Sequence, residues 1–342
     1  MVLRANQRDA EALLIVEKVL EAEPNHAEAY ANRALIKMRE KDILGALKDS
    51  EMTVSLKPHL TQVWFLLGSL HYQSGNLSNA IEALRRAHEN EPENPVFMTQ
   101  LGEFLRQDNK ADEAITILAK ATELAPKNAK AWTNLGVTFQ QGKRLDDAKM
   151  AYEKVLALNP KSATILSNLG AMAMGAEEWE SALRYFESAL EIDSNLAEAH
   201  SNLGNTLTEL GRLDEALASH NQAIALKPDF AEAHSNLGNT LKELGRLDEA
   251  LASCNQAIAL KPDFAEAYSN LGSTLKELGR LDEALASYNQ AIALKPDFAE
   301  AHRNLASMKK FDAQDEQYSN MLELYLNEEI SEEQRCHINF GL

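Results

Sequence analysis

Apolar residues recur at helical spacing in short bursts along this chain, and small polar turns separate the bursts. Between Ala231 and Phe264 the sequence reads AEAHSNLGNTLKELGRLDEALASCNQAIALKPDF. Ala233, Leu237, Leu241 and Leu244 fall at i, i+4, i+8 and i+11, so they share one helix face. Gly245-Arg246 breaks that stripe. Leu247, Ala250, Leu251, Cys254, Ala257 and Ile258 form a second stripe at the same spacing. Asp248 and Glu249 lie in its first turn, where carboxylates suit the positive end of the helix dipole. Lys261-Pro262-Asp263 closes the pair, because Pro cannot continue a helix interior. Small residues at Gly238, Ala250 and Ala257 let the two backbones approach closely.

The pattern recurs at a fixed step. Pro24, Pro58, Pro92, Pro126, Pro160, Pro228, Pro262 and Pro296 lie on one grid of 34 residues, with Ser194 in its one gap. Complete units therefore start at 27, 61, 95, 129, 163, 197, 231 and 265. Unit 197–230 differs from 231–264 only at Thr208 and His220; unit 265–298 differs only at Tyr268, Ser273 and Tyr288. A helix pair of this size cannot bury its stripe alone, but stacked neighbours can, which predicts an open all-α solenoid.

Residues 1–26 read as the second half of a repeat, with Ala12 and Val19 at unit positions 20 and 27. The matching first helix is expected to be missing or reduced to a few residues. In the early units, Asp42-Ile43-Leu44-Gly45 and Gly175-Ala176-Glu177-Glu178-Trp179 replace the usual Gly-Arg turn. Residues 299–342 read as a degenerate repeat and the start of a further helix. The register is expected to fail at Phe311-Asp312, Ser331 to Gln334 suits a capping box, and Asn339-Phe340-Gly341 resembles positions 6–8 of another unit. The sequence thus reads as cut from a longer array. No Gly/Ser linker interrupts 27–298, so no boundary is placed there.

Several unit positions carry a family resemblance. Position 4 holds Tyr30, Trp64, Trp132 or Tyr268; positions 7–8 hold Leu67-Gly68, Leu135-Gly136 or Leu237-Gly238. Position 20 holds Ala80, Ala114 or Ala250, followed by a bulky residue at 24, Ala at 27 and Pro at 32. This resembles the tetratricopeptide repeat over about residues 1–310. The resemblance implies a right-handed superhelix of antiparallel helix pairs, its concave face lined mainly by the first helix of each pair.

Composition narrows the function. Net charge is −18, from 34 basic and 52 acidic residues. That balance opposes nonspecific nucleic-acid binding, which needs basic surface to release counterions. It equally opposes anionic membranes, and favours basic peptide partners. The two cysteines, Cys254 and Cys336, show neither metal nor disulfide spacing, which points to a reducing, cytoplasmic compartment. No apolar run approaches spanning length, and Leu13–Val16 makes a poor signal sequence.

The sharpest candidate site is a row of asparagines at unit position 6: Asn134, Asn168, Asn202, Asn236, Asn270 and Asn304, with Asn32 earlier. Leu66 and Gln100 break the row. On a helical wheel this position groups with 2, 9 and 13, as in Glu232, Asn236, Asn239 and Glu243, away from the apolar stripe. Asn205 and Asn239 occupy position 9. An amide offers both donor and acceptor, so such a row can bond the backbone of an extended peptide without reading its side chains. In the competing reading each Asn bonds neighbouring turns or water, or was copied by duplication; duplication does not account for Asn134 and Asn168. Lys242 and Lys276, with Glu209, Glu243 and Glu277, flank the row. They either select charged peptide side chains or are solvated helix residues in i,i+4 pairs, and the second reading is preferred.

The row, with SNLGNTLKELGRLDEA and KPDF, is similar to the repeat region of O-linked N-acetylglucosamine transferases, where a concave asparagine ladder holds substrate proteins. That resemblance implies the same role for Asn134, Asn168, Asn202, Asn236, Asn270 and Asn304. The tail from Lys309 resembles the junction that joins such repeats to a sulfotransferase domain in bacterial proteins. No catalytic constellation, metal cluster or cofactor motif is visible. Histidines at 200, 234, 302 and 220 share slots with Tyr and Trp, so packing explains them. The expected function is a protein-interaction scaffold that holds an extended peptide. The alternative is the substrate-recruiting arm of a glycosyl- or sulfotransferase. Exposed repeat ends also give the chain a route to self-association, which leaves its oligomeric state open.

Overall fold

The computed structural model describes residues 2–308 and 316–326, together with 335 and 338; side chains are described from residue 9, and within the last helix from 321. The described residues are helical, with no strand among them. After α1 (Val2–Ala22) come first and second helices in alternation. They are α2 (Ala27–Arg39) and α3 (Ile43–Leu56), α4 (Thr61–Gln73) and α5 (Leu77–Asn90), α6 (Pro95–Gln107) and α7 (Ala111–Leu124), and α8 (Ala129–Gln141) and α9 (Leu145–Leu158). These belong to one compact unit, Met1–Lys161. The second unit, Ser162–Leu342, holds α10 (Ala163–Gly175) and α11 (Trp179–Ile192), α12 (Ala197–Glu209) and α13 (Leu213–Leu226), and α14 (Ala231–Glu243) and α15 (Leu247–Leu260). It continues with α16 (Ala265–Glu277) and α17 (Leu281–Leu294), α18 (Ala299–Ala306) and α19 (Glu316–Leu326). Consecutive pairs of this kind are the α-solenoid architecture expected from the repeat.

Within each unit the closest packing is inside a pair, from α2–α3 to α16–α17, and neighbouring pairs then stack. In the second unit the first helices also touch one another, α10 on α12, α12 on α14, α14 on α16 and α16 on α18. No comparable contact joins one second helix to the next among the described residues. The first helices therefore line the inner side of that stack. In the first unit α6 and α8 make the same kind of contact.

The turn inside each pair follows from one backbone conformation. Gly211, Gly245 and Gly279 have φ of 71°, 72° and 74°. Around Gly211, Arg212 N–H reaches Leu207 O at 2.8 Å and Gly211 N–H reaches Thr208 O at 2.9 Å. This is a Schellman closure, which satisfies carbonyls that the helix end leaves open. Among the earlier units Gly75 does the same with φ of 77°, and the others keep the turn without glycine: Lys41, Asn109, Lys143 and Glu177 hold the same position with φ of 65°, 57°, 57° and 58°. The apparent replacements of the turn are thus corrected. Ile43, Leu44 and Gly45 belong to α3, whose start Asp42 caps through Gly45 N–H at 2.9 Å.

Position 8 sets how closely the two helices of a pair approach. A Cβ built on Gly68 or Gly102 would meet Leu84 or Leu118; one on Gly136, Gly170 or Gly272 would meet the ring of Tyr152, Phe186 or Tyr288. The same slot holds His220 against Gly204 and Cys254 against Gly238.

At the amino end, α1 covers the second-helix positions of the repeat before Ala27 and continues back to Val2 in one helix. At the carboxyl end, α19 lies where the 34-residue grid places a second helix. On it Met321 is buried with Ala299 and Ile338, while Leu322, at the unit position of Tyr288, is 40% exposed. Phe311-Asp312, Ser331, Gln334, Cys336 and Asn339-Phe340-Gly341 lie outside the described residues. No helix among the described residues is long and apolar enough to cross a membrane.

Candidate functional site

In the second unit, Asn168, Asn202, Asn236, Asn270 and Asn304 lie on α10, α12, α14, α16 and α18, the helices that form the inner side. All five are partly buried. Asn270 Nδ2 donates to Ser235 Oγ at 2.9 Å, and Asn236 Nδ2 donates to Ser201 Oγ at 3.3 Å. Each bond ties one first helix to the one before it and orients the amide. In three of the five, a threonine hydroxyl donates to the asparagine's own backbone carbonyl: Thr206 on Asn202 at 2.8 Å, Thr240 on Asn236 at 3.2 Å and Thr274 on Asn270 at 2.9 Å. Asn236 and Asn270 are therefore held across the stack, and their own helices carry the threonine bonds along it.

Asn134, on α8 of the first unit, differs. It is only 9% exposed and its buried Nδ2 has no partner. The residue corresponding to Ser201 and Ser235 is Thr99, whose hydroxyl accepts from Asn128 Nδ2 at 3.1 Å and donates to Pro95 O at 2.6 Å. Gln100, which interrupts the row, accepts from Lys130 Nζ at 3.3 Å, and Lys130 also pairs with Glu103 at 2.8 Å.

The flanking residues have specific partners. Lys242 pairs with its neighbour Glu243 at 3.1 Å, and Lys276 donates across the stack to Ser307 Oγ at 2.8 Å. Neither is the i,i+4 pair that the sequence suggested. Asn205 and Asn239 lie on α12 and α14, partly buried, and Ser273 holds the equivalent position in the next repeat. The Ser273 hydroxyl is within 3.0 Å of the Tyr288 hydroxyl. Glu198, Glu232 and Glu266, at position 2, are drawn to Lys227, Lys261 and Lys295 at 3.2, 3.0 and 2.9 Å. Burial by itself raises the Glu232 carboxyl, but the bond from Lys261, its own backbone N–H and the charges of Lys261 and Lys227 together outweigh it and hold the group below its ordinary value. These lysines also lie over Phe230, Phe264 and Phe298 at 4.6, 4.7 and 4.9 Å. Glu215, Glu249 and Glu283 accept from Nε and Nη2 of Arg212, Arg246 and Arg280, which secures the start of α13, α15 and α17.

Two features escaped the sequence reading. The position-4 rings do more than pack. Tyr30 donates to Pro24 O at 3.1 Å, Trp64 to Pro58 O at 2.7 Å and Trp132 to Pro126 O at 3.0 Å. His200, His234 and His302 place Nε2 at 3.1, 3.1 and 2.9 Å from the carbonyls of Ser194, Pro228 and Pro296. The shared requirement is a ring N–H or O–H at one reach, and the co-occurrence of Trp, Tyr and His at one position was its signal. In the first repeat, Asp49 is buried between α2 and α3 and accepts from Arg33 Nε and Nη2 at 2.8 and 2.7 Å, with Lys37 at 2.8 Å. The signal there was Arg33 at a position that later units fill with Leu.

Among the described residues no group of three His, Cys, Asp or Glu side chains can hold a metal ion. The family model described as the Cilia and flagella-associated protein 70 C-terminal domain matches residues 21–258, and the TPR repeat model matches 238–279 and 272–308. No curated protein sequence matches the chain. Among solved structures, the chain in the APC/C hetero-tetramer Cut9–Hcn1 is 18% identical with a TM-score of 0.63, over 84% of this chain and 56% of that one. This chain thus spans little more than half the length of that relative. A tetratricopeptide repeat protein from Parabacteroides merdae is 19% identical with a TM-score of 0.58, over 72% of this chain and 97% of its own. PilF of Pseudomonas aeruginosa is 21% identical with a TM-score of 0.53, over 59% and 92%. At these identities the likeness is one of fold. With a family model matched over residues 21–258 and the repeat model over the units that follow, the chain belongs to the tetratricopeptide repeat proteins of the Cilia and flagella-associated protein 70 C-terminal domain family.

Proposed function

We propose that this chain is a protein-interaction scaffold whose second unit holds an extended segment of a partner along the inner side of α10, α12, α14, α16 and α18. The observation that carries the reading is the anchoring of Asn236 and Asn270 by Ser201 and Ser235. Asn236 spends one N–H on its neighbour, and Asn270 turns its Nδ2 toward both Ser235 Oγ and Ser235 O. The Oδ1 of each, and the second N–H of Asn236, are the groups to meet backbone N–H and C=O groups of a ligand. A surface oriented before binding loses less side-chain freedom on association. Replacing Asn202, Asn236 and Asn270 together with Ala, and measuring binding to an array of unstructured peptides, tests this. Retained affinity with unchanged helix content would remove it.

A second reading makes the chain the substrate-recruiting arm of a glycosyl- or sulfotransferase. Its support is the sequence likeness of SNLGNTLKELGRLDEA and KPDF, and of the segment after Lys309. It is tested by sequencing the reading frame beyond Leu342 for a transferase domain.

A further inference from the structure

His220 fills the slot between α12 and α13 that neighbouring repeats give to Phe186, Cys254 or Tyr288. A Cβ on Gly204 would lie 2.4 Å from its Cε1, so the ring is pressed against the backbone of α12. The side chain is 0% exposed, and neither Nδ1 nor Nε2 has a hydrogen-bond partner. A neutral imidazole in this slot forgoes two hydrogen bonds. A protonated one would add an unpaired buried charge, which costs far more. The equivalent phenols avoid the problem, since Tyr288 reaches Ser273 at 3.0 Å and Tyr152 reaches Gln140 at 2.8 Å.

Nothing nearby offsets the charge. On α12 the titratable side chains are Glu198, paired with Lys227, His200, bonded to Ser194 O, and Glu209, which is exposed. On α13 they are Asp214 and Glu215, the latter paired with Arg212. On α14 they are Glu232, paired with Lys261, His234, bonded to Pro228 O, and the pair Lys242–Glu243. Burial alone holds the ring down from 6.5 to about 4, with no charged group acting on it.

We infer that His220 makes the α12–α13 pair an acid-sensitive latch, which takes up a proton only as the pair opens and so loosens this one repeat on acidification. The later pair α16–α17, nearly identical in sequence but with Tyr288 in the slot, stays closed. The closed form holds its proton weakly and the open form with ordinary affinity. Opening is therefore favoured as pH falls below 6.5, and the effect levels off below about 4. From pH 7.5 to pH 5 the opening constant rises roughly 30-fold. Asn202 and Asn205 sit on α12, so opening withdraws both from the inner face.

Native-state hydrogen exchange on the full chain, at those two pH values and corrected for intrinsic rates, tests the latch. The expected result is a rise on the order of 30-fold in opening of α12–α13, against little change in α16–α17, which contains no histidine. His220→Tyr installs the residue found at Tyr288 and is expected to abolish the rise. His220→Phe, which copies Phe186, repeats the measurement with no hydroxyl to place. An equal rise in either variant, or one shared by α16–α17, would overturn the inference.

Discussion

A Cβ on Gly136 would lie 2.6 Å from Cε1 of Tyr152. The two residues share one slot, so the ring can pack on the backbone of α8 only because position 8 has no side chain. Positions 8 and 24 vary together in the first repeat, where Ala34 takes the place of glycine and position 24 is the small Ser50, both 0% exposed.

Gly136→Ala is therefore expected to destabilise the fold by about 2 kcal/mol through overpacking. In a double-mutant cycle with Tyr152→Ser, which reproduces the Ala34–Ser50 pair, the combined cost should fall at least ~1 kcal/mol short of the sum. Urea unfolding followed by circular dichroism measures both. Additive costs would show that the two residues do not share a slot.

The sequence was explicit about everything that the 34-residue step repeats. The two-helix unit, the turn between its helices and the apolar stripes came from spacing alone, because stacking requires them in every unit. It was less explicit where different residues meet one requirement. Lys41 and Glu177 adopt the left-handed turn of Gly245, and α3 begins at Ile43 rather than after a new turn. The asparagine row was legible as a pattern, but its Ser201 and Ser235 anchors were not. They lie 35 residues earlier, and only the stacking distance brings them together. At α19 the grid gives the right place, but Leu322, at the unit position of Tyr288, is exposed.

Left-handed backbone costs a residue with a Cβ about 1 kcal/mol relative to glycine. Glu177 and Lys41 carry that cost at φ of 58° and 65°. Glu177→Gly and Lys41→Gly should each stabilise the chain by roughly 1 kcal/mol, read as a raised Tm. Gly245→Ala, at φ of 72°, should lower stability by a similar amount. A lowered Tm for both glycine variants would mean that side-chain contacts of Glu177 and Lys41 outweigh the backbone term.

Asp49 is 2% exposed and balances two cations. Burial by itself raises its carboxyl, but bonds from Arg33 and Lys37 prevail and hold it below the ordinary range. Its folded value is thus lower than its unfolded one. The stabilisation is fully present above the unfolded value and is lost as pH falls through the folded one. Asp49→Asn should cost about 3 kcal/mol near neutral pH, because it leaves two cations against a neutral amide. It should also flatten the acid limb of the stability profile, measured by urea titration from pH 7 to pH 3. An unchanged acid limb would assign that limb to other carboxylates.

The position-4 rings offer the most direct separation of packing from hydrogen bonding. Trp132 Nε1 donates to Pro126 O at 3.0 Å, while His200 and His234 meet the matching carbonyls with a much smaller ring. Trp132→Phe keeps an aromatic ring and removes the donor. Trp132→His keeps a donor and removes most of the ring. If the loop carbonyl needs its partner, Trp132→Phe should lose about 1 kcal/mol beyond the change in buried area. Trp132→His should recover part of that, although it buries less surface. The histidine variant must donate through Nε2; a second proton at low pH leaves that N–H in place and makes the bond charge-assisted, so its gain should persist or grow at low pH. Urea unfolding of both variants at pH 7.5 and pH 5 separates the two contributions. Equal stability of the phenylalanine variant and the parent would make the position a packing site alone.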